Sequence, residues 1–337
     1  YIYTRSNILS NKIMKENFNA ALIRAIRETA PSGENLANAL MDILCIGKEA
    51  VYRRLRGEVT FTFEEAGIIA HHYSLSLDRI TGTVSGGTNQ FSLGIPLADN
   101  PMAAYTTLLK RYRDFFENVQ NDPSAEVSSA TNIIPFTFYC GYEYLSRFRL
   151  YRWMYQHQPL RTHVPLSQIT VHQQLTDLHL QLGRSVRQAA HTTFILDGKL
   201  FESFINEIRY FSDLHLISND EREKMLCELL LLLDELETLA AAGEFSPGKR
   251  LDIYLSHLDF EATYSLLVKT GFEMAFFRVY SINSLDSQDP SICTVQREWL
   301  QFLKRHSTLI SQSGEIQRRQ YFLRQRELAA RLQMEPA

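Results

Sequence analysis

Apolar residues recur three and four apart over most of the chain, the spacing of helices with one face on a core. After Asn100-Pro101, an N-cap followed by proline at the first helical position, Tyr105, Leu108, Leu109, Tyr112, Phe115, Phe116 and Val119 follow this rhythm. Asp122-Pro123 is expected to stop that helix. The same period predicts helices over about 141–157, 167–189, 199–214 and 219–242. The last should start on a capping box in which Ser218 and Glu221 satisfy each other's backbone donors, and end at Gly243. Between Lys249 and Asn283 the period changes to two. Leu251 to Leu255 alternates, and aromatic and β-branched runs flank Thr270-Gly271, which predicts a short hairpin or three-stranded antiparallel sheet. From about Thr294 the chain reads as helix again, with a charged final helix beginning at Ser313-Gly314-Glu315-Ile316.

Residues 82–98 break the rhythm with four glycines and are expected to be a linker. It divides an N-terminal unit, 1–81, from a larger and mostly helical region, 99–337. The low content of Gly (15) and Pro (10) in 337 residues, well under the usual share of roughly 12%, agrees with a mainly α fold. A net charge of −3 excludes a polybasic, DNA-coating protein. Cys45, Cys140, Cys227 and Cys293 never form C-x-x-C, so a zinc knuckle and a disulfide framework are not expected, and a reducing cytoplasm is. The longest aliphatic run, Leu229–Leu233, is far short of the ~20 residues of a membrane span. No signal-peptide core is read in the first thirty residues; the chain opens Tyr1-Ile2-Tyr3, so its first residues are expected to be non-native or incomplete.

The stretch Leu36–Ile80 holds the strongest pattern. Leu36, Leu40, Ile43 and Leu44 share one face of a short helix, and Cys45-Ile46-Gly47 makes a tight turn. A second helix, Lys48 to Arg56, is closed by Gly57. Val51 and Leu55 should face inward, small Ala50 lets the helices cross closely, and Lys48, Glu49, Tyr52, Arg53 and Arg56 should face out. Residues 1–81 carry ten basic and nine acidic side chains, yet Lys48 to Arg56 holds four positive charges and one negative. Neutral composition thus conceals one narrow basic edge.

Over residues 16–81 the chain resembles the Cro/CI-type, lambda-repressor-like helix-turn-helix family. The likeness takes in Gly57 after the second helix, the extended Glu58–Thr62 stretch, the helix Phe63–Tyr73 and the closing Ser74–Asp78. One departure is Cys45, where the family usually has glycine. The resemblance implies a five-helix DNA-binding domain whose second motif helix enters the major groove. Lys48, Glu49, Tyr52 and Arg53 would then meet base edges, Arg53 or Lys48 pairing with guanine and Glu49 accepting from cytosine. Arg54 and Arg56 would meet phosphates, and Asn35 and Asn38 the backbone. One such helix reads few base pairs, so a homodimer on double-stranded DNA is expected, with its contact surface after residue 98.

Other constellations point to structure. In Tyr142–Tyr155, Leu145, Phe148, Tyr151 and Tyr155 form a core stripe with Arg149 and Arg152 on another face; a pocket beside Trp153 is the alternative. His172 and His179, seven apart on one helix, lie too far apart to share a metal ion. Ser185, Ser203 and Ser307 lack a nucleophile-elbow context, and no P-loop or H-E-x-x-H occurs, so neither an enzyme nor a cofactor is expected. Arg318, Arg319, Arg324 and Arg326, mixed with Glu315 and Glu327, read as an outer helix face. The expectation is a cytoplasmic transcription regulator, off the membrane, whose C-terminal region dimerises or senses a small-molecule or protein effector. The alternative is a helical interaction or scaffold protein whose bundle does not bind DNA.

Overall fold

The computed structural model describes residues 17–29, 35–73, 75, 77, 80, 91–93, 100–117, 119, 122–157 and 164–333. The chain divides into two compact units, Tyr1–Asn89 and Gln90–Ala337.

The first unit is built from α1 (Phe18–Thr29), α2 (Leu36–Leu44), α3 (Lys48–Leu55) and α4 (Phe63–His72). Its core gathers Leu22, Ile26, Leu40, Val51, Phe61 and Ile69, one or two residues from each element, all buried. The closing Ser74–Asp78 stretch of the expected five-helix domain lies largely outside the described residues; of its neighbourhood, Leu75, Leu77 and Ile80 pack on this core. Thr62 and Glu65 form a capping box at the start of α4. A longer tie spans the unit: the buried Asn19 Oδ1 on α1 accepts from the Phe61 backbone N–H at 2.9 Å.

The second unit is mainly helical, but its centre is a nine-stranded mixed sheet among the described residues. The helices are α5 (Pro101–Glu117), α6 (Phe136–Tyr139), α7 (Glu143–His157), α8 (Gln173–Val186), α9 (Leu200–Asp213), α10 (Asn219–Ala242), α11 (Pro290–Arg305) and α12 (Glu315–Ala330). The Ser218–Glu221 capping box is formed, and Gly243 closes α10 in the left-handed conformation at φ 71°. Asn100 Oδ1 accepts from the Met102 backbone N–H at the start of α5. That helix ends at Glu117, before the expected Asp122-Pro123 stop.

The strands are β1 (Ser92–Leu93), β2 (Glu126–Thr131), β3 (His191–Leu196), β4 (Glu244–Ser246), β5 (Lys249–Ser256), β6 (Tyr264–Lys269), β7 (Phe272–Val279), β8 (Asn283–Ser287) and β9 (Ser307–Leu309). Their order is β1-β8-β7-β6-β2-β3-β5-β4, with β9 also paired to β5. The expected small antiparallel sheet is therefore corrected. The hairpin at Thr270-Gly271 exists as β6–β7, but β5 lies beyond two intervening strands and runs parallel to β3. The central parallel pair β2–β3 carries no alternating sequence signal, for a physical reason. Helices cover both sheet faces: Phe194 and Leu196 enter the main helical core while Ile195 enters the core under α11. A strand buried on both sides shows no alternation. In β2 the signal is weaker still, because small polar residues pair across strands, as in the 2.8 Å contact between the Ser129 and Ser265 hydroxyls.

Within the expected linker 82–98, Ser92–Leu93 pairs antiparallel with β8; most of the remainder lies outside the described residues. No helix of the described residues is long and apolar enough to cross a membrane.

Candidate nucleic-acid interface

The exposed face of α3 is set by the turn that joins it to α2. Asn35 caps α2, its side chain accepting from the Asn38 backbone N–H at 3.2 Å. α2 ends at Cys45, whose backbone is left-handed at φ 54° and ψ 38°. That conformation is easy for glycine and strained for a residue with a Cβ. The chain then reverses through Ile46, which packs on the first core, and Gly47, the N-cap of α3.

α3 buries Val51 completely and turns Lys48, Glu49, Tyr52, Arg53 and Arg56 to the exterior, as its pattern predicts. The Lys48 ammonium stands 6.0 Å from the centre of the Tyr52 ring. Gly57, at φ 77°, ends the helix and turns the chain into the extended segment before α4.

The arginines are not equivalent. Arg54 is turned away from the exposed face. Its Nε and Nη2 donate to the two carboxylate oxygens of Glu65 at 3.0 and 2.7 Å, and its Nη1 donates to the Ala50 carbonyl at 3.2 Å. Both side chains are only 15% exposed. Burial pushes the Glu65 carboxyl up, but the hydrogen bonds from Arg54 and Thr62 outweigh it, and the net shift is downward. The phosphate-contact expectation for Arg54 thus meets a guanidinium already committed to holding α3 against α4.

Arg53 and Arg56 remain exposed but are flanked by acids. Arg56 donates to Glu58 at 2.6 Å and to Glu49 at 3.3 Å, and Arg53 Nε lies 3.7 Å from Glu58. The Arg56 hydrogen bond holds the Glu58 carboxyl below its ordinary range. Glu65 carries a sequence signal, the Thr62-x-x-Glu65 capping box, but its bond to Arg54 crosses between helices, and the partners of Glu58 depend on the turn at Gly57, so neither pairing is legible from spacing along one helix.

Chemistry elsewhere is sparse. Among the described residues no three His, Cys, Asp or Glu side chains assemble into a metal-holding group. His191, Asp252 and Thr193 lie together, but both neighbours approach the same imidazole nitrogen, Nε2, at 3.0 and 3.5 Å, so the ring cannot relay a proton between them. Burial pushes the Cys140 thiol up to about 11, which leaves it a poor nucleophile. Trp153 is fully buried and donates to the Pro101 carbonyl at 2.9 Å. In α12, Arg318 is buried against the Ile310 and Ser313 carbonyls, and Arg326 pairs with Asp234 and Glu237, so two of the four C-terminal arginines fasten that helix to its neighbours.

Compared with protein-family models, with curated proteins and with solved structures, the chain finds no match in any of the three.

Proposed function

We propose that the chain is a sequence-specific DNA-binding transcription regulator that acts as a dimer and answers to an effector. The observation that carries the reading is the exposed face of α3, which presents Lys48, Glu49, Tyr52, Arg53 and Arg56 beyond a tight turn, while Val51 anchors its other side. An α-helix of this kind fits the major groove with its first residues at base edges. Arg53 or Lys48 pairs with guanine, Glu49 accepts from a cytosine amino group, and Arg56 meets phosphate. Arg54 serves as a positioning residue that sets the angle of α3 through Glu65.

One observation favours a second reading, a helical interaction module that does not bind DNA. Glu49 and Glu58 neutralise much of the cationic edge that Arg53 and Arg56 would offer. Titration of the intact chain with labelled random duplex separates the two. A regulator binds weakly at ~50 mM salt, loses affinity steeply towards ~200 mM, and binds far more tightly to fragments selected from its own genome. A chain shown to be dimeric by sedimentation that binds no duplex at ~50 mM salt leaves only the second reading.

A further inference from the structure

The second unit contains two guanidinium groups without the directly paired carboxylate that burial normally demands. Arg149, on α7, is 2% exposed. Its Nη2 donates to the Ser281 carbonyl at 2.7 Å, and its Nε is buried with no partner. Arg278, at the end of β7, directs Nη1 to the same carbonyl at 3.5 Å, and its Nε is likewise buried and unpartnered. Among the described residues neither arginine has a carboxylate in ion-pair contact. A carbonyl dipole cannot balance two cations, and an unpaired buried charge is strongly unfavourable. Burial lowers the affinity of Arg278 for its proton, and the nearby Arg149 lowers it further.

These groups line a cavity of about 260 Å³ together with Asn132, Tyr139, Ser203 and Phe204. Two acids also face it. Glu207 pairs with Arg152 at 2.6 Å and feels Arg149 only at longer range, and Glu261 stands exposed at the rim. The Ser281 hydroxyl is a third buried group without a partner. Tyr280 and Ser281 both adopt left-handed backbone, at φ 45° and 71°, and it is this double turn that aims the Ser281 carbonyl at the arginines. Strained non-glycine residues of this kind collect at ligand sites. Arg278 and Thr263 also line a second, largely apolar cavity of about 150 Å³ walled by Phe136, Phe194 and Phe276.

We propose that this cavity is a binding site for a small organic acid, whose oxyanion lies between Arg149 and Arg278 and whose body rests on the neighbouring aromatic walls. Guanidinium forks match the planar oxygens of a carboxylate and the oxygens of a phosphoryl group equally in kind. The Nε atoms and the Ser281 hydroxyl supply the donors that such a group accepts from.

The test is thermal melting of the full chain in benzoate, in acetate and in inorganic phosphate, each against chloride at equal ionic strength. It reads stability alone and is indifferent to DNA binding. The expected result is a saturable rise of several degrees in benzoate or in phosphate. A rise with benzoate above acetate identifies a carboxylate with an apolar body, and a rise with phosphate alone identifies a phosphoryl group. Arg149→Met and Arg278→Met should abolish the rise yet melt no lower than the parent in chloride, because each removes an uncompensated charge. Ser203→Tyr, a change at an exposed position of the cavity wall, should abolish the rise with both arginines in place. No rise in any anion, a rise that survives these substitutions, or arginine variants that melt lower in chloride would each overturn the proposal.

Discussion

Arg54 and Glu65 clasp one another across the junction of α3 and α4, with Nε 3.0 Å from one carboxylate oxygen and Nη2 2.7 Å from the other. The same Glu65 accepts from the Thr62 backbone N–H at 2.9 Å and so closes the cap of α4. One carboxylate therefore fixes both the start of α4 and the tilt of the helix before it. Arg54→Met should lower the stability of the first unit by about 1–3 kcal/mol, the range for a well-formed, largely buried charged hydrogen-bonded pair. A double-mutant cycle with Glu65→Gln, read by urea unfolding, should show coupling between the two. Additive losses would mean that the pair acts through something other than their mutual contact.

The acids beside α3 set how much of its charge reaches a phosphate. Glu58→Gln releases Arg56 and Arg53 from a shared partner, so affinity for random duplex should rise a few-fold and the salt slope should steepen by ~1. Arg53→Ala should instead relax sequence preference, by about 1–3 kcal/mol at one base pair, while Arg56→Ala weakens all sequences alike. Fluorescence anisotropy over a salt series measures all three variants. Identical losses on every sequence for Arg53→Ala and Arg56→Ala would contradict the division of roles.

Cys45 stands in left-handed backbone, which disfavours an L-residue by about 1–2 kcal/mol. Glycine relieves the strain but gains about 0.5–1 kcal/mol of unfolded-state freedom. Cys45→Gly should accordingly stabilise the first unit by about 0.5–1 kcal/mol, visible as a higher melting midpoint. A lower midpoint would show that the thiol contributes more than its long 3.7 Å contact with the Asp42 carbonyl suggests.

His179 is buried beside Tyr105, whose hydroxyl lies 3.2 Å from its Nε2. Burial lowers its pKa from an ordinary 6.5 to about 4, so the folded state holds the neutral ring and the unfolded chain binds the proton more readily. Its contribution is complete above pH 6.5 and is lost as pH falls towards 4. Acidification from pH 7 to 5 should remove about 2 kcal/mol from the second unit, and His179→Gln should flatten that slope. Urea midpoints at the two pH values decide it; equal slopes for parent and variant would place the titration elsewhere.

The parts of this fold that could be read in advance are those governed by residues near one another in the chain. Ser218 with Glu221, Gly243, Asn100 and Thr270-Gly271 act within a turn or a cap, and each does locally what its chemistry requires. β2 and β3 could not be read this way, since their partners come from distant segments and both faces are covered. Arg149 shows the same limit at a site. Helical spacing separates it from the apolar stripe of Leu145, Phe148 and Tyr151, but a separate face is not an exposed one, and here that face meets the Ser281 turn. The outward set on α3 follows its pattern, whereas the fate of Arg54 was decided by Glu65 on the following helix.

The placement of β2 governs the order in which the molecule can assemble. It lies between β3 and β6, with Glu126 opposite both His191 and Val268. The ladder around it stays open on one side until residue 268 has left the ribosome. α1 to α4, by contrast, close through contacts that span from Asn19 to Phe61. Contacts near in sequence form fast and distant strand pairings form slowly. The two units therefore run on separate clocks: the helical unit is complete early in synthesis, while β2 waits with an unpaired edge for more than a third of the chain still to come.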